Sequence, residues 1–146
     1  MSRIKVFLDT NVLASYFSGK PEARRLFDPD VTKRVQYIIS PLVLQELLLI
    51  SEELGKNGSS SEMKRLLSKY LTIKQLDEDT VQASAKRIRQ LRNTIVHAND
   101  VLNIEVAATT ADYFLTQDKN LLSLGEIDSL EVISPEQFFN LLKEAA

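Results

Sequence analysis

The sequence predicts an α/β fold: three layers, α/β/α, around a short and mainly parallel central sheet. Two observations carry that expectation. Apolar runs of four to six residues with strand character alternate along the chain with segments whose apolar residues recur at helical spacing. The runs are almost uniformly apolar, as strands buried on both faces are, and parallel strands need the helical crossovers that the alternation supplies. A third observation concerns function. Two of the runs are followed at their carboxyl ends by an aspartate, and ligands of open α/β sheets gather beyond those ends.

The elements follow in order. Residues 4–9, IKVFLD, read as a buried strand ending at Asp9, and TNVLASYFS at 10–18 turns to helical spacing through Val12, Leu13, Tyr16 and Phe17. Gly19 and Pro21 interrupt, and PEARRLFD makes a second short helix with proline at its start. VQYII at 35–39 is the second strand. Ser40 and Pro41 form an N-cap and first-turn pair for a helix reaching about Leu54. GKNGSSS at 55–61 is a loop between helices, SEMKRLLSKYL the next helix, and TIKQL at 72–76 a third strand. In a long helix at 79–93, Val81, Ala85, Ile88 and Leu91, then Ile95 beyond it, recur at helical spacing and set an apolar face, with Arg92 close to it. Asp100 opens a helix over 100–110, YFLT at 113–116 and LEVIS at 130–134 are strands, and SPEQFFNLLKEA closes the chain as a helix capped by Ser134.

At 146 residues, 44% hydrophobic and 26% charged, the chain has the size and composition of one globular domain over 1–146. With no cysteine there is neither a disulfide framework nor a thiolate metal site, so a metal must take oxygen ligands or the single histidine. No apolar run approaches the roughly 18 residues of a membrane span, and the polar start MSRIK is no signal peptide; a cytoplasmic protein with no membrane contact is expected. Charge is divided unevenly. Residues 1–92 carry 16 Lys and Arg against 11 Asp and Glu, whereas residues 93–146 carry 2 against 9. That asymmetry fits an acidic pocket rimmed by phosphate-binding cations, although solvated helix faces give the same pattern.

Four carboxylates lie where the pattern is apolar: Asp9 in VFLD, Glu46 in LVLQELLLI, Asp100 in NDVLNIEV and Asp118 in YFLTQD. Like charges gathered in a cleft repel, and a divalent cation is the simplest offset. Capping a helix is a competing account of Asp9 and Asp100. Asp112 and Asp118 flank the same strand, and because six strand residues span roughly 20 Å, only Asp118 shares an edge with Asp9. Glu105 lies in Asp100's segment, but five residues of helix turn it about 140° away. Thr116 and Asn11 stand where they can hydrogen-bond the acids, while His97 reads as an ordinary loop residue.

VFLDTNVLASYF at 6–17, ISPLVLQEL at 39–47, NDVLNIEVAATTADYFLTQDKNL at 99–121 and LEVISPEQFF at 130–139 together resemble the PIN-domain ribonucleases, including the VapC-like toxins of toxin–antitoxin pairs. The resemblance implies a PIN-like fold and an acidic site of Asp9, Glu46, Asp100 and Asp118, supported by Asn11 and Thr116. It further implies Mg²⁺ or Mn²⁺ as cofactor, hydrolysis of RNA phosphodiesters, a small antitoxin partner and a homodimer. The segment after Asp100, VLNIEVAATT, departs from the more uniformly apolar or small pattern expected there. Candidate RNA contacts are Arg24 and Arg25, and Lys86, Arg87 and Arg89 in KRIRQLR. Two other readings stand beside this one: a non-catalytic RNA-binding or scaffold domain, and a haloacid-dehalogenase-type phosphatase, against which Asn11 stands where a second aspartate is wanted. A phosphate-receiver domain would need an acidic pair beside the first strand, and Asp9 is alone there.

Overall fold

Strand β1 (Ile4–Leu8) lies at the middle of the molecule because nothing in its second half tolerates water: Val6, Phe7 and Leu8 are fully buried, on alternate faces of the sheet. The computed structural model describes residues 2–54, 59–91 and 97–145. After β1 come helices α1 (Thr10–Phe17), α2 (Pro21–Arg25) and α3 (Pro29–Thr32), then β2 (Val35–Ile39). Helices α4 (Pro41–Leu54) and α5 (Ser59–Lys69) lead to β3 (Leu71–Ile73), and α6 (Glu78–Leu91) precedes α7 (Ala98–Thr110). The chain ends through β4 (Tyr113–Leu115), α8 (Lys119–Leu122), β5 (Glu126–Ile127), β6 (Leu130–Ile133) and α9 (Pro135–Glu144).

The six strands take the order β3-β2-β1-β4-β6-β5, all parallel except β5, which pairs antiparallel with β6. The order reverses between β1 and β4: β1, β2 and β3 extend one way, and β4 and β6 the other. Phe7 and Phe114 stack across that central pair at 5.2 Å, and Tyr16, Phe27, Tyr37 and Tyr70 continue the aromatic core. Tyr37, fully buried, satisfies its hydroxyl on the Leu26 carbonyl at 2.6 Å. A fold of parallel strands covered by helices is what the alternation of runs predicts.

Several elements differ from expectation. The third strand is Leu71–Ile73 rather than 72–76: Lys74 N–H makes the last bond to β2, to the Ile39 carbonyl at 2.8 Å, and Asp77 then caps α6 by accepting from Thr80 N–H at 2.7 Å. Helix α7 begins at Ala98, so Asp100 sits inside its first turn and not at its start. Helices α3 and α8 and the two-residue β5 are too short to leave a periodicity. Of the expected loop at 55–61, residues 59–61 already belong to α5 and residues 55–58 lie outside the described residues, as do Arg92 and Ile95. The largest difference concerns α6. Its apolar face is exposed, and it packs on α7 instead through buried Ser84 and through Arg87.

Candidate functional site

The site is built at the carboxyl edge of the sheet, where the strand order reverses. Asp9 leaves β1 there: its N–H bonds the Leu115 carbonyl of neighbouring β4 at 3.0 Å, and its side chain caps α1 through Thr10 N–H at 2.8 Å. The other carboxylate oxygen of Asp9 accepts from Thr116 Oγ1 at 2.8 Å and from Asn11 Nδ2 at 3.2 Å. Asn11 Nδ2 also donates to Thr116 Oγ1 at 3.2 Å, and Asn11 Oδ1 accepts Gln117 N–H at 3.0 Å. Thr116 Oγ1 in turn receives Asp118 N–H at 3.1 Å. One buried hydroxyl thus ties the carboxyl end of β1 to that of β4 and orients the backbone of Asp118.

The remaining acids come from helices. Asp100 Oδ2 accepts His97 N–H at 3.3 Å in the first turn of α7. Asp118 caps α8 through Asn120 N–H at 2.8 Å. Glu46, half-buried on α4, has no hydrogen-bond partner of good geometry among the described residues. Capping and site membership therefore coexist at Asp9 and Asp118, which leaves Asp118 Oδ2, Asp100 Oδ1 and both Glu46 oxygens without protein partners among the described residues.

The four carboxylates feel one another. Burial pushes the Asp9 carboxyl up to about 6, against the pull of the Thr116 hydrogen bond, and the charges of Asp100 and Glu46 push in the same direction. Burial raises Glu46, opposed by the Thr10 hydroxyl and reinforced by Asp100. Burial also raises Asp100, with the His97 N–H opposing it and Asp118 adding to it. The couplings run Asp9 to Glu46 and Asp100, Glu46 to Asp100, and Asp100 to Asp118, so all four acids belong to one electrostatic cluster.

A cation is the natural counterweight, and the donor set fits one. The cluster offers carboxylate oxygens and no thiolate, the chemistry that Mg²⁺ and Mn²⁺ take. Thr10 is 7% exposed, and its hydroxyl oxygen is the one buried side-chain polar atom without a hydrogen-bond partner among the described residues, although it faces Glu46. Among the described residues no three acids already converge into a ready-made coordination shell. The acids lie near enough to repel one another without closing upon a point.

Other polar contacts hold the site, and those between distant residues leave no local sequence signal. Ser40 Oγ, fully buried at the end of β2, donates to Asn103 Oδ1 at 2.5 Å and receives Val43 N–H at 3.2 Å. This joins the start of α4, which carries Glu46, to α7 one turn after Asp100. Glu105, also buried, pairs with Arg87 of α6, which reaches on to Asp128 at 2.7 Å. The two polar departures in VLNIEV are thus both partnered, and Glu105 faces Arg87 rather than the acids. Asp112 sits at the opposite edge, accepting Lys5 N–H at 3.1 Å.

Among the candidate RNA contacts, Arg24 stacks on Tyr16 at 4.7 Å and Arg25 on Phe139 at 4.1 Å. Both sit on α2, which the chain reaches only after α1 has run its length away from the acids. Arg87 is neutralised by its two acids. Lys86 and Arg89 are exposed and have no ion pair among the described residues.

A family model, the PIN domain, matches residues 6–127. No curated protein matches the chain by sequence. Among solved structures, VapBC2 of Rickettsia felis bound to a promoter DNA fragment is 21% identical at TM-score 0.72, covering 90% of this chain and 98% of that one. DNA-bound VapBC of Salmonella typhimurium is 22% identical at TM-score 0.70, with 90% and 98% covered. VapC20 of Mycobacterium tuberculosis, described as a sarcin–ricin-loop-cleaving toxin, is 16% identical at TM-score 0.65, with 86% and 98% covered.

Proposed function

The chain belongs to the PIN-domain family, and from that premise we propose that it is a metal-dependent endoribonuclease acting as the toxin of a toxin–antitoxin pair. The observation that carries the reading is the single coupled cluster of Asp9, Glu46, Asp100 and Asp118 at the strand-order reversal, with Asp9 pushed to about 6. A surface scatter of acids would not couple in this way. When bound, Mg²⁺ or Mn²⁺ would supply a water of lowered pKa and neutralise charge on the phosphate.

The chain's own residues would divide the remaining work. Asp9, locked by Thr116, Asn11 and Thr10 N–H, offers a carboxylate that cannot swing away. Asp118, Asp100 and Glu46 present oxygens that have no hydrogen-bond partner among the described residues. The Thr10 hydroxyl, lacking an internal partner of good geometry among the described residues, is available to a water or a phosphate oxygen beside Glu46. Lys86 and Arg24 are cations an RNA backbone could engage. Two protein partners belong to the reading, an antitoxin like those in the toxin–antitoxin assemblies above and a second copy of this chain.

The test is cleavage of a mixed RNA substrate. Cleavage is expected with Mg²⁺ or Mn²⁺, is abolished by EDTA, and falls by at least about 10³-fold in Asp9→Asn and Asp118→Asn, each folded by circular dichroism. Full activity in excess EDTA would remove the metal from the reading. A folded protein that binds RNA without cutting it under any divalent ion would instead make the chain a binding module.

A further inference from the structure

Asn103 is unfavourable where it stands. It lies near the middle of α7 with Val101 and Ile104 fully buried beside it, and is itself 1% exposed. A helix interior favours leucine over asparagine, and a buried carboxamide is destabilising unless it is hydrogen-bonded. Leucine at this position would avoid both costs. Asn103 meets the second through a residue of another element, the hydroxyl of Ser40, which is also fully buried.

The pair joins the two helices that carry Glu46 and Asp100. Ser40 Oγ gives its hydrogen to Asn103 Oδ1 at 2.5 Å and accepts Val43 N–H at 3.2 Å, so one hydroxyl holds α7 and the first turn of α4 together. Val43 precedes Glu46 by three residues, and Asn103 follows Asp100 by three. Three residues of helix advance about 4.5 Å along the axis and turn about 60° short of a full circle. Each acid therefore stands less than one turn from its end of the bridge. Apolar contacts between helices are non-directional and let them slide, whereas a hydrogen bond between two short side chains does not.

There is a force for the bridge to resist. The charge of Asp100 raises Glu46, so the two carboxylates repel one another from α4 and α7. Helices parted by that repulsion would have to be drawn back before both acids could serve one ion, and such reorganisation weakens binding. Mg²⁺ is the more demanding ion, because it requires near-ideal octahedral geometry.

We propose that Ser40 and Asn103 are positioning residues, whose hydrogen bond holds Glu46 and Asp100 at the separation a divalent ion requires and so sets the affinity of the acid site for Mg²⁺ or Mn²⁺. The inference rests on the metal-dependent reading above and adds to it two uncharged residues that act through the helices carrying the acids.

Isothermal titration of the full chain with Mn²⁺ at pH 7.5 tests this, since it reads binding with no RNA present. Asn103→Leu and Ser40→Gly each remove the bond; glycine is tolerated at an N-cap, so the second variant decides if the first does not fold. Each weakens Mn²⁺ binding about tenfold. The double variant binds within about twofold of the weaker single, because the same bond is lost in all three. Tyr37→Phe, which removes the buried hydrogen bond to the Leu26 carbonyl, lowers the melting temperature and leaves Mn²⁺ affinity unchanged. Single variants that bind Mn²⁺ as tightly as the wild type overturn the proposal and leave the nuclease reading standing. So does a roughly hundredfold loss in the double variant, which would make the two residues independent. A loss in Tyr37→Phe equal to that in Asn103→Leu also overturns it, since affinity would then follow stability alone. A wild-type chain that binds no Mn²⁺ overturns both the proposal and the metal-dependent reading.

Discussion

Asp9 concentrates the conflict between stability and function in one side chain. Its native pKa of about 6 lies above the value near 4 of an unfolded aspartate, so between those values the native state holds the extra proton. The contribution is therefore fully present below about pH 4 and is lost as pH rises through 6. The metal-free protein is expected to melt higher at pH 5.5 than at pH 7.5, Asp9 accounting for on the order of 3 kcal/mol at most. Asp9→Asn should flatten that dependence and raise the melting temperature at pH 7.5 while abolishing cleavage; calorimetry at the two pH values checks both. That Asp9 and Asp118 share one edge of the sheet was legible from strand polarity. Asp100 leaned most on the family resemblance, since capping explains it equally well and its capping hydrogen bond is present. Ser40 was legible as the cap of α4, where it receives Val43 N–H, but its bond to Asn103 was not: nothing local marks a hydrogen bond between residues 63 apart.

The long elements of the chain follow from periodicity and caps. VQYII is a strand over 35–39, and Ser134 with Pro135 starts α9, where Ser134 Oγ accepts Gln137 N–H at 3.2 Å. Helix α6 was legible as a helix, but the face it buries was not, because Arg87 outcompetes the apolar stripe for the contact with α7 by neutralising buried Glu105. That pairing predicts an asymmetry. Arg87→Ala should cost about 3 kcal/mol in urea unfolding, since it strands a buried carboxylate, whereas Arg87→Met with Glu105→Leu should recover most of the loss. Equal losses in the single and double variants would mean that the guanidinium matters only as packing. Asp128, the far partner of Arg87, takes a left-handed conformation at φ 57° in the β5–β6 turn, a position aspartate tolerates better than most residues.

At the scale of the whole molecule, a divalent ion held by the acid cluster would link folding to its concentration. An ion that binds only the native state stabilises it by about 1.4 kcal/mol when tenfold above its dissociation constant. The melting temperature should thus rise with Mg²⁺ or Mn²⁺ at pH 7.5, and the gain should shrink at pH 5, where Asp9 holds its proton. An equal gain in the Asp9→Asn, Asp118→Asn double variant would place the ion elsewhere. None of the described helices is long and apolar enough to cross a membrane. The hydrogen bond from Thr116 to Asp9 closes over 107 residues, and β1 has no neighbour on one side until β4 arrives. During synthesis, the first two-thirds of the chain leaves the ribosome carrying half a site: Asp9 without its hydroxyl and without Asp118. The acid cluster can therefore close only after β4 has been made, late in synthesis, so whatever work the site does begins only when the chain is nearly whole.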